Sequence, residues 1–170
     1  MHVTDDGSPF RHIYDGNGDD VLKAVVEDSV MHAFGGDDTV YGSKGSDAIY
    51  GNEGNDTIYA GSGNDFVFGG QGDDYINGGN GNDTYVFGRN YGTDIIEDYD
   101  GNNKVVLSGI DPNEVTFAKT NQSELTVSIN GCEDKLTIRS FNSESFTFEF
   151  AGGAVGTVNK DTWELELSQP

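Results

Sequence analysis

Seven aspartates recur in a single frame: Asp20, Asp38, Asp47, Asp56, Asp65, Asp74 and Asp83. Each stands two residues after a glycine, Gly18, Gly36, Gly45, Gly54, Gly63, Gly72 and Gly81 in turn. Each also stands two residues before Leu22, Val40, Ile49, Ile58, Val67, Ile76 or Tyr85. Carboxylates are hard oxygen donors, and a set of them held together suits a hard divalent cation. The plainer use of such an aspartate is to cap a turn. Charge weighs against that use alone. Residues 15–86 hold fourteen acids and two lysines. Stacked as strands about 4.8 Å apart, they would accumulate charge unless cations intervene.

Catalysis finds no comparable constellation. The chain has no HExxH, GxSxG or phosphate-loop lysine motif. His2, His12 and His32 are isolated in sequence and expected to be exposed. Cys132, the single cysteine, allows no intramolecular disulfide and no multi-cysteine zinc site. The expectation is a chain that is not itself an enzyme.

The frame that carries the aspartates is nine residues long. From Gly42 it reads GSKGSDAIY, GNEGNDTIY, AGSGNDFVF, GGQGDDYIN and GGNGNDTYV; upstream, AFGGDDTVY and DGNGDDVLK keep the register. Ala24–His32, AVVEDSVMH, lacks the glycine and keeps only Met31 at position eight, so eight consecutive blocks fill residues 15–86. The first six positions are expected to form a tight turn, where glycine permits left-handed backbone. The last three form a short strand with position eight inward and positions seven and nine outward. Two blocks make one coil, so loops eighteen residues apart stack. One edge carries loops 15–20, 33–38, 51–56 and 69–74, the other 24–29, 42–47, 60–65 and 78–83. Outward aromatics should then form ladders, Tyr41 with Tyr59 and Tyr50 with Phe68, which serve either as cross-strand packing or as a surface for a glycan or cell-surface partner.

These blocks resemble the GGxGxDxUx repeat of RTX (haemolysin-type) calcium-binding proteins, over about half the chain. The resemblance implies an all-β, right-handed parallel β-roll followed by a β-rich C-terminal capping region. It implies Ca²⁺ as cofactor, each site taking position-six carboxylates with the carbonyls of positions two and four. Position two is Gly16, Phe34, Ser43, Asn52, Gly61, Gly70 and Gly79. Three intact stacked pairs on the first edge and two on the second give about five ions. Loop 24–29, without glycine, is expected to form no site against loop 42–47. The resemblance also implies secretion, with type I secretion machinery as a partner. Within it, an adhesin module and the C-terminal targeting module of a secreted hydrolase are the alternatives.

The organisation expected is a flank over 1–14, the roll over 15–86, a roll cap over 87–103 and a β-rich capping segment over 104–170. In the roll cap, Asp94, Asp98 and Asp100 are candidates to close the last calcium sites. Further on, Leu125, Val127 and Ile129 alternate with polar residues, as do Leu136 and Ile138, then Phe146, Phe148 and Phe150, with Phe141 among the large apolar residues. Asn130–Gly131 marks a hairpin turn between the first two runs. Trp163, Leu165 and Leu167 read as a last core strand.

Thirty acids face nine basic residues, a net charge of −21. That excludes nucleic acid and repels an anionic membrane surface. Only 34% of residues are hydrophobic and 25 are glycine, so the core is thin and folding needs a force beyond apolar burial. No apolar run is long enough to span a membrane. Met1–Phe10 carries acids and a proline, unlike a Sec-type leader; a fragment, or export by a route that reads another signal, is expected.

Overall fold

A computed structural model describes residues 2–4, 11–24, 27–121, 123–139, 146–159 and 161–168. The expectations for Phe141 and for the His2 side chain lie outside the described residues. The strands β1 (His2–Thr4) and β2 (Arg11–Tyr14) lead into β3 (Val21–Lys23), β4 (Ser29–Gly35), β5 (Thr39–Tyr41) and β6 (Ala48–Glu53). Next come β7 (Thr57–Ser62), β8 (Phe66–Gln71), β9 (Tyr75–Asn80), β10 (Thr84–Gly88), β11 (Thr93–Glu97) and β12 (Asn103–Ser108). The last six are β13 (Val115–Asn121), β14 (Glu124–Ile129), β15 (Lys135–Arg139), β16 (Phe146–Glu149), β17 (Val155–Val158) and β18 (Leu165–Leu167).

Successive repeat strands alternate between two sheets. One runs β1-β2-β4-β6-β8-β10-β12-β16-β17-β18, the other β13-β14-β15-β11-β9-β7-β5-β3. Within the repeats all pairing is parallel at a register of eighteen residues, as in Ile49↔Val67 and Ile58↔Ile76. This is a parallel β-roll. Its core is two facing columns, Ile13, Met31, Ile49, Val67 and Tyr85 from one sheet and Leu22, Val40, Ile58 and Ile76 from the other, each buried.

In the middle of the roll the strands are longer than the expected three residues, whereas β3 and β5 keep that length. β6 to β9 each span six, running from position seven through position three of the next block. The glycine-rich start of a block therefore belongs to the strand, and only about three residues turn. The reason is the pleat, whose period of two carries positions six, eight and one of the following block inward together. Aspartate, aliphatic residue and glycine thus share one interior. Position one must be small because a Cβ on Gly51 or Gly69 would collide with the Oδ2 of Asp56 or Asp74.

After Gly88 two extra residues, Arg89 and Asn90, delay the frame. Gly92 and Gly101 then stack on Gly72 and Gly81 as position-four residues, twenty rather than eighteen residues on. Beyond β12 the two sheets are extended by the C-terminal strands. β15 lies parallel to β11 and carries the antiparallel β14 and β13, and β16 lies parallel to β12 and carries β17 and β18. The hairpin at Asn130–Gly131 forms as expected, with Leu125 opposite Ile138 and Val127 opposite Leu136. The terminal strand differs from its expectation. β18 is a sheet edge, Leu167 is 46% exposed, and Trp163 lies outside it with φ +62°. An edge strand has a neighbouring strand on one side only, so its apolar residues are incompletely covered, and Trp163 and Leu165 pack only partly against the core.

Candidate calcium sites

The position-six aspartates form two ladders through the interior. On the first edge, the backbone N–H of Asp20 donates to Oδ1 of Asp38 at 2.7 Å, Asp38 to Asp56 at 2.9 Å, Asp56 to Asp74 at 2.8 Å and Asp74 to Asp94 at 3.1 Å. On the second, Ser29 donates to Asp47 at 2.6 Å, then Asp47 to Asp65, Asp65 to Asp83 and Asp83 to Oδ1 of Asn103, each at 2.8 Å. One oxygen of each carboxylate thus ties its loop to the loop before it.

The other oxygen is the informative one. Oδ2 of Asp38, Asp56, Asp65, Asp74 and Asp83 is buried with no hydrogen-bond partner. A buried unsatisfied carboxylate oxygen is costly, so native folds satisfy it with a donor or a cation. Burial is the main reason these carboxyls titrate high, with neighbouring aspartates adding to it. Asp56 and Asp65 are raised to about 7, Asp74 and Asp83 to about 6, and Asp94 to about 8. Among the described residues no three acidic, histidine or cysteine side chains converge on one point. Each loop thus offers one buried carboxylate, and such a carboxylate with backbone carbonyls beside it would make a set that suits calcium.

The glycine backbone brings carbonyls close between successive coils. Gly36, Gly45, Gly54, Gly63, Gly72 and Gly81 all have φ between +100° and +134°. The carbonyl oxygens of Gly36, Gly45, Gly54 and Gly63 each fill the space a Cβ would need on the position-four glycine of the next coil. At position two, Gly61, Gly70 and Gly79 are left-handed as well, and Asn52 (φ +80°) and Phe34 (φ +74°) are held in the same conformation. Gly16 and Gly18 belong to the first loop, where nothing approaches within 4 Å of either α-carbon's free side, and neither has positive φ. Asp20, at this end of its ladder, is only half-buried.

Ser43 departs from the pattern. Its φ is not positive, and its N–H donates to Oδ2 of Asp47 at 2.7 Å. Both oxygens of Asp47 are thereby satisfied without a metal, at the coil whose preceding loop lacks glycine.

In the roll cap, the three candidate aspartates occupy three different environments. Asp94 joins the first ladder and is buried. Asp98 is buried at position one, where the other loops of the second edge carry glycine or alanine, and accepts from the Tyr85 hydroxyl. Asp100 is exposed on the turn, its N–H donating to Oδ1 of Asp98 at 3.1 Å. Sequence reading missed Asn103, Gly92 and Gly101, all displaced by the two-residue insertion. It also missed Asp134, whose oxygens accept from Asn90 (3.1 Å) and Gly92 (2.9 Å) and so brace that insertion.

The outward aromatics also differ in part from expectation. Tyr41 and Tyr59 stack at 5.3 Å and 8°. Tyr50 and Phe68 instead meet edge to face at 6.4 Å and 65°, because Tyr50 stacks on His32 at 4.5 Å and 7°. His32 stacks in turn near Tyr14, itself stacked with His12, so neither histidine is isolated or fully exposed. Rings stacked in this way turn their faces to one another, the geometry of cross-strand packing.

Residues 14–49, 32–67 and 50–85 match the family model of the RTX calcium-binding nonapeptide repeat. Among curated proteins no sequence matches the chain. Two solved structures are similar in part. The extracellular lipase LipA from Serratia marcescens matches at 13% identity and a TM-score of 0.45, over 79% of this chain and 38% of the lipase. The AlgE6R3 subunit of the Azotobacter vinelandii mannuronan C5-epimerase matches at 17% identity and a TM-score of 0.40, over 76% of this chain and 78% of that one. The chain thus spans well under half of the lipase's length. Taken with the two aspartate ladders, the family match identifies residues 14–85 as a β-roll of RTX calcium-binding nonapeptide repeats.

Proposed function

We propose that the chain is the calcium-triggered folding module of a secreted protein and supports the export of its parent through type I machinery. The observation that carries this reading is the five buried Oδ2 atoms without a partner, aligned along two edges. Calcium, when bound, supplies the positive charge these oxygens lack. The residues that would hold it are the position-six aspartates with the carbonyls of positions two and four. Gly92 and Gly101 extend the stacked loops to four pairs on the first edge and three on the second, about seven ions in place of five.

Without a cation the ladders oppose folding, because each coil places another carboxylate beside the last in a low-dielectric interior. The thin aliphatic core offsets little of that cost. The chain would therefore stay unfolded in a low-calcium compartment, a state suited to passage through a narrow channel. It would fold where calcium is millimolar, within the range of about 10⁻⁴–10⁻³ M typical of extracellular sites. The test is circular dichroism at neutral pH in chelator, then with millimolar calcium or magnesium. Little regular structure is expected in chelator, a β spectrum with calcium and a poor response to magnesium, which demands tight octahedral geometry. A folded spectrum in chelator overturns the mechanism.

A further inference from the structure

In the coil that ends the second ladder, two residues are exchanged relative to the others. Position six, aspartate in the three loops directly below it on this edge (Asp47, Asp65 and Asp83), is the neutral Asn103, whose Oδ1 accepts the N–H of Asp83 at 2.8 Å. Position one, glycine or alanine in the loops below it on the same edge (Ala24, Gly42, Ala60 and Gly78), is Asp98, 2% exposed. The carboxylate lost at one inward position reappears at the other, so the charge facing the last loop pair is conserved while its source has moved.

The surroundings of Asp98 show where that charge is aimed. Oδ2 of Asp98 and Oδ2 of Asp83 both lie 2.7 Å from the point where a Cβ on Gly78 would stand, and the Tyr85 hydroxyl lies nearer still, so the three groups share one small volume. Oδ2 of Asp83 has no hydrogen-bond partner, and Asp83 is 1% exposed. Oδ1 of Asp83 accepts the Asp65 N–H at 2.8 Å, which leaves Oδ2 as its open donor. Asp98 accepts from the Tyr85 hydroxyl through Oδ2 and from the Asp100 N–H through Oδ1, and an ionised carboxylate has about four acceptor positions, so it retains capacity. Tyr85 stands where the other repeats carry an aliphatic residue, and its hydroxyl fixes the rotamer of Asp98 towards Asp83. Asn103 is steadied through Nδ2 by the Asp100 carbonyl at 3.0 Å.

We propose that Asp83 and Asp98, oriented by Tyr85, form a rearranged terminal calcium site in which Asp98 replaces the missing position-six carboxylate at Asn103. The inference rests on the calcium-binding reading of the ladders. It adds that this site takes its second carboxylate from position one of the stacked loop instead of from position six. Calcium affinity follows ligand charge, so the exchange restores a charge pair that asparagine alone would halve.

The experiment is calorimetric counting of bound calcium on the full chain, with the calcium midpoint read by circular dichroism. Asp98→Asn is expected to bind one ion fewer and to raise the midpoint. The double variant Asp98→Asn with Asn103→Asp returns the carboxylate to position six and is expected to regain the ion. Tyr85→Phe should weaken one ion without removing it. If Asp98 serves only to accept the Tyr85 hydrogen bond, Asp98→Asn keeps the full ion count, or the double variant fails to rescue it; either result overturns the inference. Should Asp98→Asn fail to fold, the rescue by the double variant still decides. A wild-type chain that binds no calcium would instead sink the underlying reading.

Discussion

The glycines at positions two and four are set by backbone and space together, which makes single substitutions unequal. Gly63 combines φ +134° with a neighbouring carbonyl, Gly45 O, already occupying the place of its Cβ. That neighbour is backbone and cannot swing aside. Gly63→Ala is expected to raise the calcium midpoint severely or abolish folding, whereas Gly131→Ala, at φ +86° in open space, costs only about 1–2 kcal/mol. Calcium titration followed by circular dichroism separates the two. Aspartates are unequal for a different reason. Asp56 is buried between intact loops on both sides, while Asp20 ends its ladder half-exposed. Asp56→Ala should raise the midpoint more than Asp20→Ala, and equal midpoints would argue against ions shared between stacked loops. Asp56 was legible because the nine-residue frame names it. Asn103 was not, because Arg89 and Asn90 shift the frame by two and an asparagine does not announce itself as a ladder member. Asp98 was visible as an acid, but its place at position one is apparent only from the pairing of Lys104 with Thr84.

At the scale of the ladder, burial sets a pH dependence with a definite sign. The folded carboxyls of Asp56, Asp65, Asp74, Asp83 and Asp94 titrate between about 6 and about 8, above the value of about 4 in an unfolded chain. The metal-free fold therefore takes up protons on forming. Its stability is fully present near pH 4 and is lost as pH rises through 6 to 8. In chelator, lowering the pH from 8 towards 5 should increase β structure. With calcium present, the midpoint should rise over the same interval as protons compete for the same oxygens. A chelated chain that loses structure on the way to pH 5 would contradict the ladder as the source of instability. Strand length was less legible than strand position. Glycine-rich stretches such as GNE in β6 read as turn, yet the ladder bonds are made by backbone groups that need no side chain.

For the molecule as a whole, the acidic ladders have a defined end. Asp94 is opposite Leu136 and Asn103 opposite Phe146, so the next coil presents apolar residues where the repeats present carboxylates. From there Leu107, Ile110, Leu136, Ile138, Phe146 and Phe148 build a core that needs no metal. Truncation after Asn103 would uncover β10 and β11 and remove that core. The shortened chain should require much more calcium to fold, or aggregate as it does so. Folding at an unchanged calcium midpoint would mean that the C-terminal core does not nucleate the roll. Alternation in residues 125–150 made its strands legible. That they extend the two sheets of the roll was not, because no repeated residue carries the register across from β11 to β15 or from β12 to β16.

The eighteen-residue register means that the roll's length can be edited only in whole storeys. Excising residues 51–68 would set Thr39 of β5 beside Tyr75 of β9 and Ala48 of β6 beside Thr84 of β10, with each edge still meeting its own kind. Excising nine residues, 51–59, would preserve every local turn yet send all upstream strands to the opposite sheet. Phe68 would then follow Tyr41 instead of Tyr50, and the Tyr14–His32–Tyr50 row would be cut from its continuation. A chain whose local grammar counts in nines is thus constrained, in its history of gain and loss, to count in eighteens.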